Sequence, residues 1–178
     1  ITGDLVESAG GELALTVRGD GIPPKTFTGP TGSLTQLTSA AAEYVYGQLA
    51  PGGWALRLAS EGRYAETMEF VQAMAPASSA ADKPYLLVAR AMALEPTGGS
   101  SQEARSVYRA ALRLKPDLWD AWITVQNTSM DLGDEQGAWS AAEEMRTAAG
   151  GRPGRAPRGA YQTWDLLTWN LPTLLDEL

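Results

Sequence analysis

The segment Gly99–Ala142, GSSQEARSVYRAALRLKPDLWDAWITVQNTSMDLGDEQGAWSAA, decides the fold of this chain. Within it, Ala104 and Ala138 lie 34 residues apart, and each follows a glycine, Gly99 or Gly133, by five residues. A period of this length is typical of helix hairpins, which bury their apolar faces only by stacking on neighbouring hairpins. The segment therefore predicts a mostly helical repeat structure.

Apolar spacing and glycine turns extend this pattern toward the N-terminus and predict three helix pairs over residues 50–149. The predicted helices are 54–61 with 64–75, 84–95 with 101–114, and 118–131 with 135–149. Three pairs meet the usual minimum for a stable stack of such repeats.

A different period governs the first 30 residues. Leu13, Leu15 and Val17 alternate with other residues, as in a half-buried strand. Residues 1–6 form a plausible second strand, and the intervening Ser-Ala-Gly-Gly tolerates the backbone of a tight turn. We predict a small β-hairpin, followed by a short extended piece around Phe27.

An amphipathic helix is predicted to follow the β-hairpin and to complete an N-terminal unit over residues 1–49. Ser33 and Gln36 have the spacing of a capping box at its start. Its end is predicted at Pro51, with a new helix beginning near Trp54, because proline and glycine disfavour the helix interior.

Two further segments are predicted at the C-terminal end. Residues 150–159 combine glycine, proline and arginine and are expected to form a flexible linker. Residues 160–178 are expected to form a helix that caps the stack, with Trp164, Leu167 and Leu171 as its apolar stripe.

The repeat resembles the tetratricopeptide repeat (TPR) family over about residues 50–150. In the third unit, the matching helix-pair positions hold Trp122, Val125, Gln126, Ser129, Gly133, Ala138 and Ala142. In the second unit, the second-helix positions hold Ala104, Tyr108, Ala111 and Pro116. Gln126 and Met92 stand where the family usually has a small residue, so we expect irregular packing. The resemblance implies a TPR-like α-solenoid of degenerate repeats.

The same resemblance implies a partner-binding surface, because family members usually bind peptides along the concave face, which the first helix of each pair lines. Transferred position by position, the candidates are Arg57, Arg90, Asp120, Ile123, Asn127 and Asp131. Trp119 is added as a candidate exposed anchor for a partner. The alternative for each position is an ordinary solvated helix residue.

Composition excludes most common catalytic chemistry. The 178 residues include no cysteine and no histidine, so thiolate and imidazole nucleophiles, bases and metal ligands are absent from the sequence. We predict no enzyme activity, no catalytic residues and no cofactor. The acidic residues Asp131, Asp134 and Glu135 lack the ligand order of a calcium loop and are predicted to surround a helix terminus, with no metal bound.

The net charge is −7, from 14 basic and 21 acidic residues, which favours basic or neutral partners over nucleic acid. No apolar run is long enough for a membrane span.

We predict a non-catalytic protein-interaction module or scaffold that binds a protein or peptide, with homo-oligomers left open. The alternative is an accessory or regulatory domain of a larger bacterial envelope or signalling protein, in which the N-terminal αβ unit binds a small ligand or mediates oligomerisation. Cytoplasmic and periplasmic locations both stay open, and an anchor or signal could lie outside this segment.

Overall fold

A computed structural model describes residues 1–150, in which a three-stranded sheet precedes seven helices. The strands are β1 (Thr2–Glu7), β2 (Glu12–Gly19) and β3 (Ile22–Pro30). The helices are α1 (Leu34–Leu49), α2 (Pro51–Ser60), α3 (Tyr64–Met74), α4 (Lys83–Leu94), α5 (Ser101–Leu114), α6 (Trp119–Asp131) and α7 (Glu135–Ala148). The predicted mostly helical fold with an N-terminal β unit is confirmed at this level. Beyond Gly150, the predicted linker and C-terminal helix lie outside the described residues.

The sheet is an antiparallel meander in the order β1-β2-β3, so the predicted two-stranded hairpin was one strand short. The extended piece around Phe27 is the third strand. Its register against β2 shifts between Val17 and Gly19, where Pro23 and Pro24 together face Arg18. Proline is tolerated at such a bulge on an edge strand, because its missing N–H is not needed for the ladder.

One face of the sheet packs on α1. Leu13 and Val17 of β2 are buried, as are Leu37 and Ala41 of α1, and α1 contacts both β2 and β3. Every residue of β1 is exposed. The hydrophobic core of the N-terminal unit therefore lies between α1 and strands β2 and β3.

The starts of two helices differ from the prediction. Helix α2 begins at Pro51 itself, because proline suits the first position of a helix, where no N–H partner is needed. The following Gly52 is required by close packing, since a Cβ there would lie 2.9 Å from Tyr85 Cβ and 3.1 Å from the Asp82 carbonyl oxygen. Ser33 does not cap α1; its hydroxyl donates to the Pro30 carbonyl at 2.7 Å.

Helix α4 lies at the centre of the helical part and contacts α2, α3 and α5, while α6 contacts α5 and α7. Two buried apolar clusters join these helices. The first cluster contains Ala55, Ala59, Val71, Leu86 and Ala89, and the second contains Ala91, Tyr108, Leu112, Ala121, Trp122, Val125, Ala141 and Met145. The many alanines let neighbouring helices approach closely, and the aromatic rings fill the wider gaps.

Candidate binding site

Five of the predicted partner-binding residues lie on α6. Asp120, Asn127 and Asp131 are exposed, whereas Ile123 and Trp119 are partly buried and pack against the second apolar cluster. Trp119, which the sequence suggested as an exposed anchor, is therefore partly buried, and its role as a partner contact stays a prediction.

The two arginines predicted for the same surface are held by carboxylates of their own helix pair. Arg57 on α2 donates to Glu61 at 2.7 Å, and its guanidinium lies 5.6 Å from the centroid of the Trp54 ring. Arg90 on α4 lies 3.8 Å from a carboxylate oxygen of Glu103 on α5. Each arginine therefore pairs with a carboxylate near its own helix, and neither forms an ion pair with Asp120 or Asp131 of α6.

The exposed polar positions of α6 do not recur at the equivalent positions of α4, 34 residues earlier. The residues 34 positions before Asp120, Ile123 and Asn127 are Leu86, Ala89 and Ala93, and all three are buried. Leu86 and Ala89 belong to the apolar cluster with α2 and α3. The exposed polar positions Asp120 and Asn127 of α6 therefore have no exposed counterpart one period earlier on α4.

A concave feature lies where the N-terminal unit meets the first helix pair. We call it the junction cleft; it has a volume of about 510 Å³ and is lined by residues of β3, α1, α2 and α3 and by Arg63. Its aromatic lining residues are Phe27, Tyr44, Trp54 and Phe70. This volume falls in the range of small-ligand and peptide side-chain sites.

Helix α1 approaches α2 and α3 closely at Gly47. A Cβ at this position would lie 3.1 Å from Phe70 Cε2 and 3.1 Å from Trp54 Cδ1. The absence of a side chain therefore lets the two rings reach the cleft wall from different helices. On α1, Ala40, Tyr44 and Gly47 share the helix face that lines the cleft.

Arg63 ties the two sides of the junction cleft together. Its guanidinium donates to Glu66 of α3 at 2.7 and 3.0 Å, and to Glu43 of α1 at 3.2 and 3.4 Å. It also lies 5.5 Å from the Trp54 ring centroid. The hydrogen bond from Arg63 lowers the pKa of Glu66, and the carboxylates raise the pKa of Arg63. Glu66 is thus held ionised and is a weaker base than an ordinary glutamate, which suits binding rather than proton transfer.

Two other charged groups line the cleft without such a network. Lys25 Nζ lies 4.8 Å from the Tyr44 ring centroid and 5.3 Å from that of Phe27. Within residues 1–150, neither Lys25 nor Glu69 forms an ion pair. The Lys25 ammonium therefore contacts the two rings, and the Glu69 carboxylate can interact with a charged group of a bound molecule.

The junction cleft was not predicted from the sequence because its walls come from four separate elements, β3, α1, α2 and α3. One signal was present in the sequence: Ala40, Glu43, Tyr44 and Gly47 recur at helical spacing and form a face of small, acidic and aromatic residues. Such a face differs from both an apolar core stripe and a solvated charged surface.

The acidic cluster around Asp134 has a structural role. The Asp134 carboxylate accepts from the Gly137 N–H at 2.8 Å and caps α7, and it also pairs with Arg105. These bonds lower the pKa of Asp134, with the backbone bond as the larger cause. Across the described residues, no group of three or more carboxylates is arranged to hold a metal ion.

Comparison with protein-family models, curated proteins and solved structures finds no match to this chain. In the part of the chain that the structure describes, no helix is long and apolar enough to cross a membrane.

Proposed function

We propose that this chain is a non-catalytic protein-interaction module and that a peptide segment of its partner binds in the junction cleft. The observation that carries this proposal is the cleft itself, with a volume of about 510 Å³, four aromatic rings and two charged residues, Lys25 and Glu69, that form no ion pair within residues 1–150. Aromatic side chains supply large contact areas at a low entropy cost and often anchor protein partners.

The helix pairs support the same proposal. We propose that α2–α3, α4–α5 and α6–α7 form a TPR-like stack, in which Gly62, Gly98 and Gly133 adopt the positive φ of the turns. In this arrangement the stack serves as a rigid scaffold that holds one wall of the cleft. The polar surface of α6, with Asp120, Asn127 and Asp131, provides a second and shallower contact area.

The alternative is an accessory or regulatory domain in which the N-terminal unit binds a small ligand. The contribution of β3 and α1 to the cleft favours this alternative, because half of the wall belongs to that unit. Both functions use the same cleft and differ in the occupant. Peptide binding is preferred because the charged residues of the cleft lie on different elements, Lys25 on β3, Glu43 on α1 and Glu69 on α3.

The proposal is tested by selecting binders from a random 12-residue peptide library against the purified chain and measuring affinities by fluorescence anisotropy. Two variants each add one positive charge to a helix: Ala40→Arg at a partly buried position in the cleft and Asn127→Arg at an exposed position of α6. We expect Ala40→Arg to weaken binding at least tenfold and Asn127→Arg to change it less than twofold. Circular dichroism and thermal melts confirm that both variants fold.

If Asn127→Arg weakens peptide binding and Ala40→Arg does not, the peptide binds at α6 and the cleft proposal is wrong. Peptides that bind both variants as well as the unaltered chain would reject both surfaces. The small-ligand alternative would be favoured by two results together. The peptide selection would yield no specific binder, and small metabolites from a fragment library would bind to the unaltered chain but not to Ala40→Arg.

A further inference from the structure

The rings of Phe27 and Tyr44 form a pair suited to holding a cation. Their centroids lie 6.1 Å apart with an interplanar angle of 62°, and the Tyr44 hydroxyl donates to the Pro23 carbonyl at 2.8 Å. That hydrogen bond fixes the tyrosine ring against β3. The two ring faces are therefore held in a fixed arrangement, and a cation near both rings can form cation–π contacts with them.

A cation already occupies this position. Lys25 and Phe27 share one face of β3, and the Lys25 ammonium lies within 5.3 Å of both ring centroids. Among the described residues no carboxylate pairs with Lys25, so the two rings are its observed partners. Because Lys25 is exposed and its stem is flexible, another cation can replace it.

The surrounding charges favour such a replacement. Glu43, Glu66 and Glu69 line the junction cleft against two cations, Lys25 and Arg63. Arg63 is held by Glu43 and Glu66, which leaves Glu69 to interact with an incoming positive group. The chain as a whole carries a net charge of −7, which attracts basic partners and repels acidic ones.

We propose that the Phe27–Tyr44 pair recognises a cationic side chain of a basic peptide, and that Lys25 occupies the pair in the free protein as an internal competitor. This inference rests on the proposed function and specifies its partner class. It makes Lys25 an inhibitor of binding rather than a contact residue. Removal of Lys25 then strengthens binding, the opposite of the effect expected for a residue that contacts the ligand.

The test uses tetramethylammonium chloride as the cation probe and tert-butanol as a neutral probe of similar shape, at constant ionic strength. Binding is followed by NMR shifts of carbon-13-labelled phenylalanine and tyrosine rings. We expect tetramethylammonium to shift the Phe27 and Tyr44 signals and tert-butanol to leave them in place. Lys25→Met is expected to tighten tetramethylammonium binding about two- to fivefold, the factor that corresponds to one exposed cation–π contact.

Lys83→Met is the matched control, because it removes the same charge from an exposed lysine at the start of α4, outside the cleft. It is expected to leave the affinity unchanged. A Lys25→Met variant that binds the cation no more tightly than the Lys83→Met variant would overturn the proposal. The proposal would also be overturned if acetate binds to the unaltered protein and no longer binds to Lys25→Met, because Lys25 would then be an anion-binding residue.

Library-selected peptides separate this inference from the proposed function. Replacing the lysines of a selected peptide by norleucine is expected to weaken binding in the unaltered protein and more strongly in Lys25→Met. Peptides that remain sensitive to Ala40→Arg but bind equally well with norleucine would refute the cation site alone. A failure to obtain any cleft-binding peptide would refute the proposed function itself.

Discussion

The side-chain amide of Gln126 provides the sharpest test of how the helices pack. Gln126 lies on the inner face of α6 and is 1% exposed, and neither its Oε1 nor its Nε2 has a hydrogen-bond partner in residues 1–150. The neighbouring buried polar group is satisfied, because the Ser129 hydroxyl donates to the Val125 carbonyl and accepts from Arg105. Gln126 thus buries an amide without compensation.

The perturbation is Gln126→Met, which keeps an unbranched side chain of similar length and a nearly equal helix propensity. A buried amide without hydrogen bonds costs about 1–3 kcal/mol in protein mutational data, so its removal is expected to raise the free energy of unfolding by about that amount. For a chain of this size the melting temperature then rises by roughly 2 to 12 °C.

The assay is thermal and urea unfolding followed by circular dichroism. Asn127→Met is the control, because its amide is exposed on the next position of the same helix. We expect the control to change stability by less than about 0.5 kcal/mol. A lower stability of Gln126→Met beside an unchanged Asn127→Met would show that the amide makes bonds in the folded protein, and the reasoning would be wrong.

Three further predictions concern single side chains. Asp134→Asn keeps a capping side chain but loses the charge that pairs with Arg105. Because the pKa of Asp134 is lowered from its ordinary value of 3.8, the stability difference between the two proteins should be full above that pH and vanish as the pH falls through the folded pKa, as pH-dependent melts would show. Ser100→Ala should cost about 1 kcal/mol in urea unfolding, because the Ser100 hydroxyl caps α5, whereas Ser33→Ala should cost less than about 0.5 kcal/mol. Burial, and secondarily a nearby glutamate, raises the pKa of Tyr108 to about 12; Tyr108→Phe should therefore remove a step near pH 12 from a spectrophotometric tyrosine titration.

The helix pairs could be predicted from the sequence because their signals are local. Helix α5 was predicted at 101–114 and is observed at Ser101–Leu114, and α6 begins one residue later than predicted. The signals for both helices, the spacing of apolar residues along the helix and the glycines at the adjoining turns, lie within or next to the helix that they predict. Arrangements that depend on distant residues were harder to predict.

Strand β3 and the junction cleft illustrate those distant effects. Pro23 and Pro24 normally argue against a strand, and only the edge position of β3 and its bulge make them acceptable. The cleft combines Lys25, Tyr44 and Phe70, whose proximity follows from how α1 crosses the first helix pair. No period in the sequence encodes that crossing.

The two edges of the sheet differ in a way that limits self-assembly. Strand β3 carries Pro23, Pro24 and Pro30, whereas Thr2–Glu7 of β1 contains no proline and is exposed throughout. If two copies join through their β1 edges, the combined six-stranded sheet ends at a proline-interrupted β3 on both sides. Assembly through the sheet edges then stops at a symmetric dimer instead of continuing into a fibre. The three prolines of β3 therefore limit polymerisation through the described sheet to two copies.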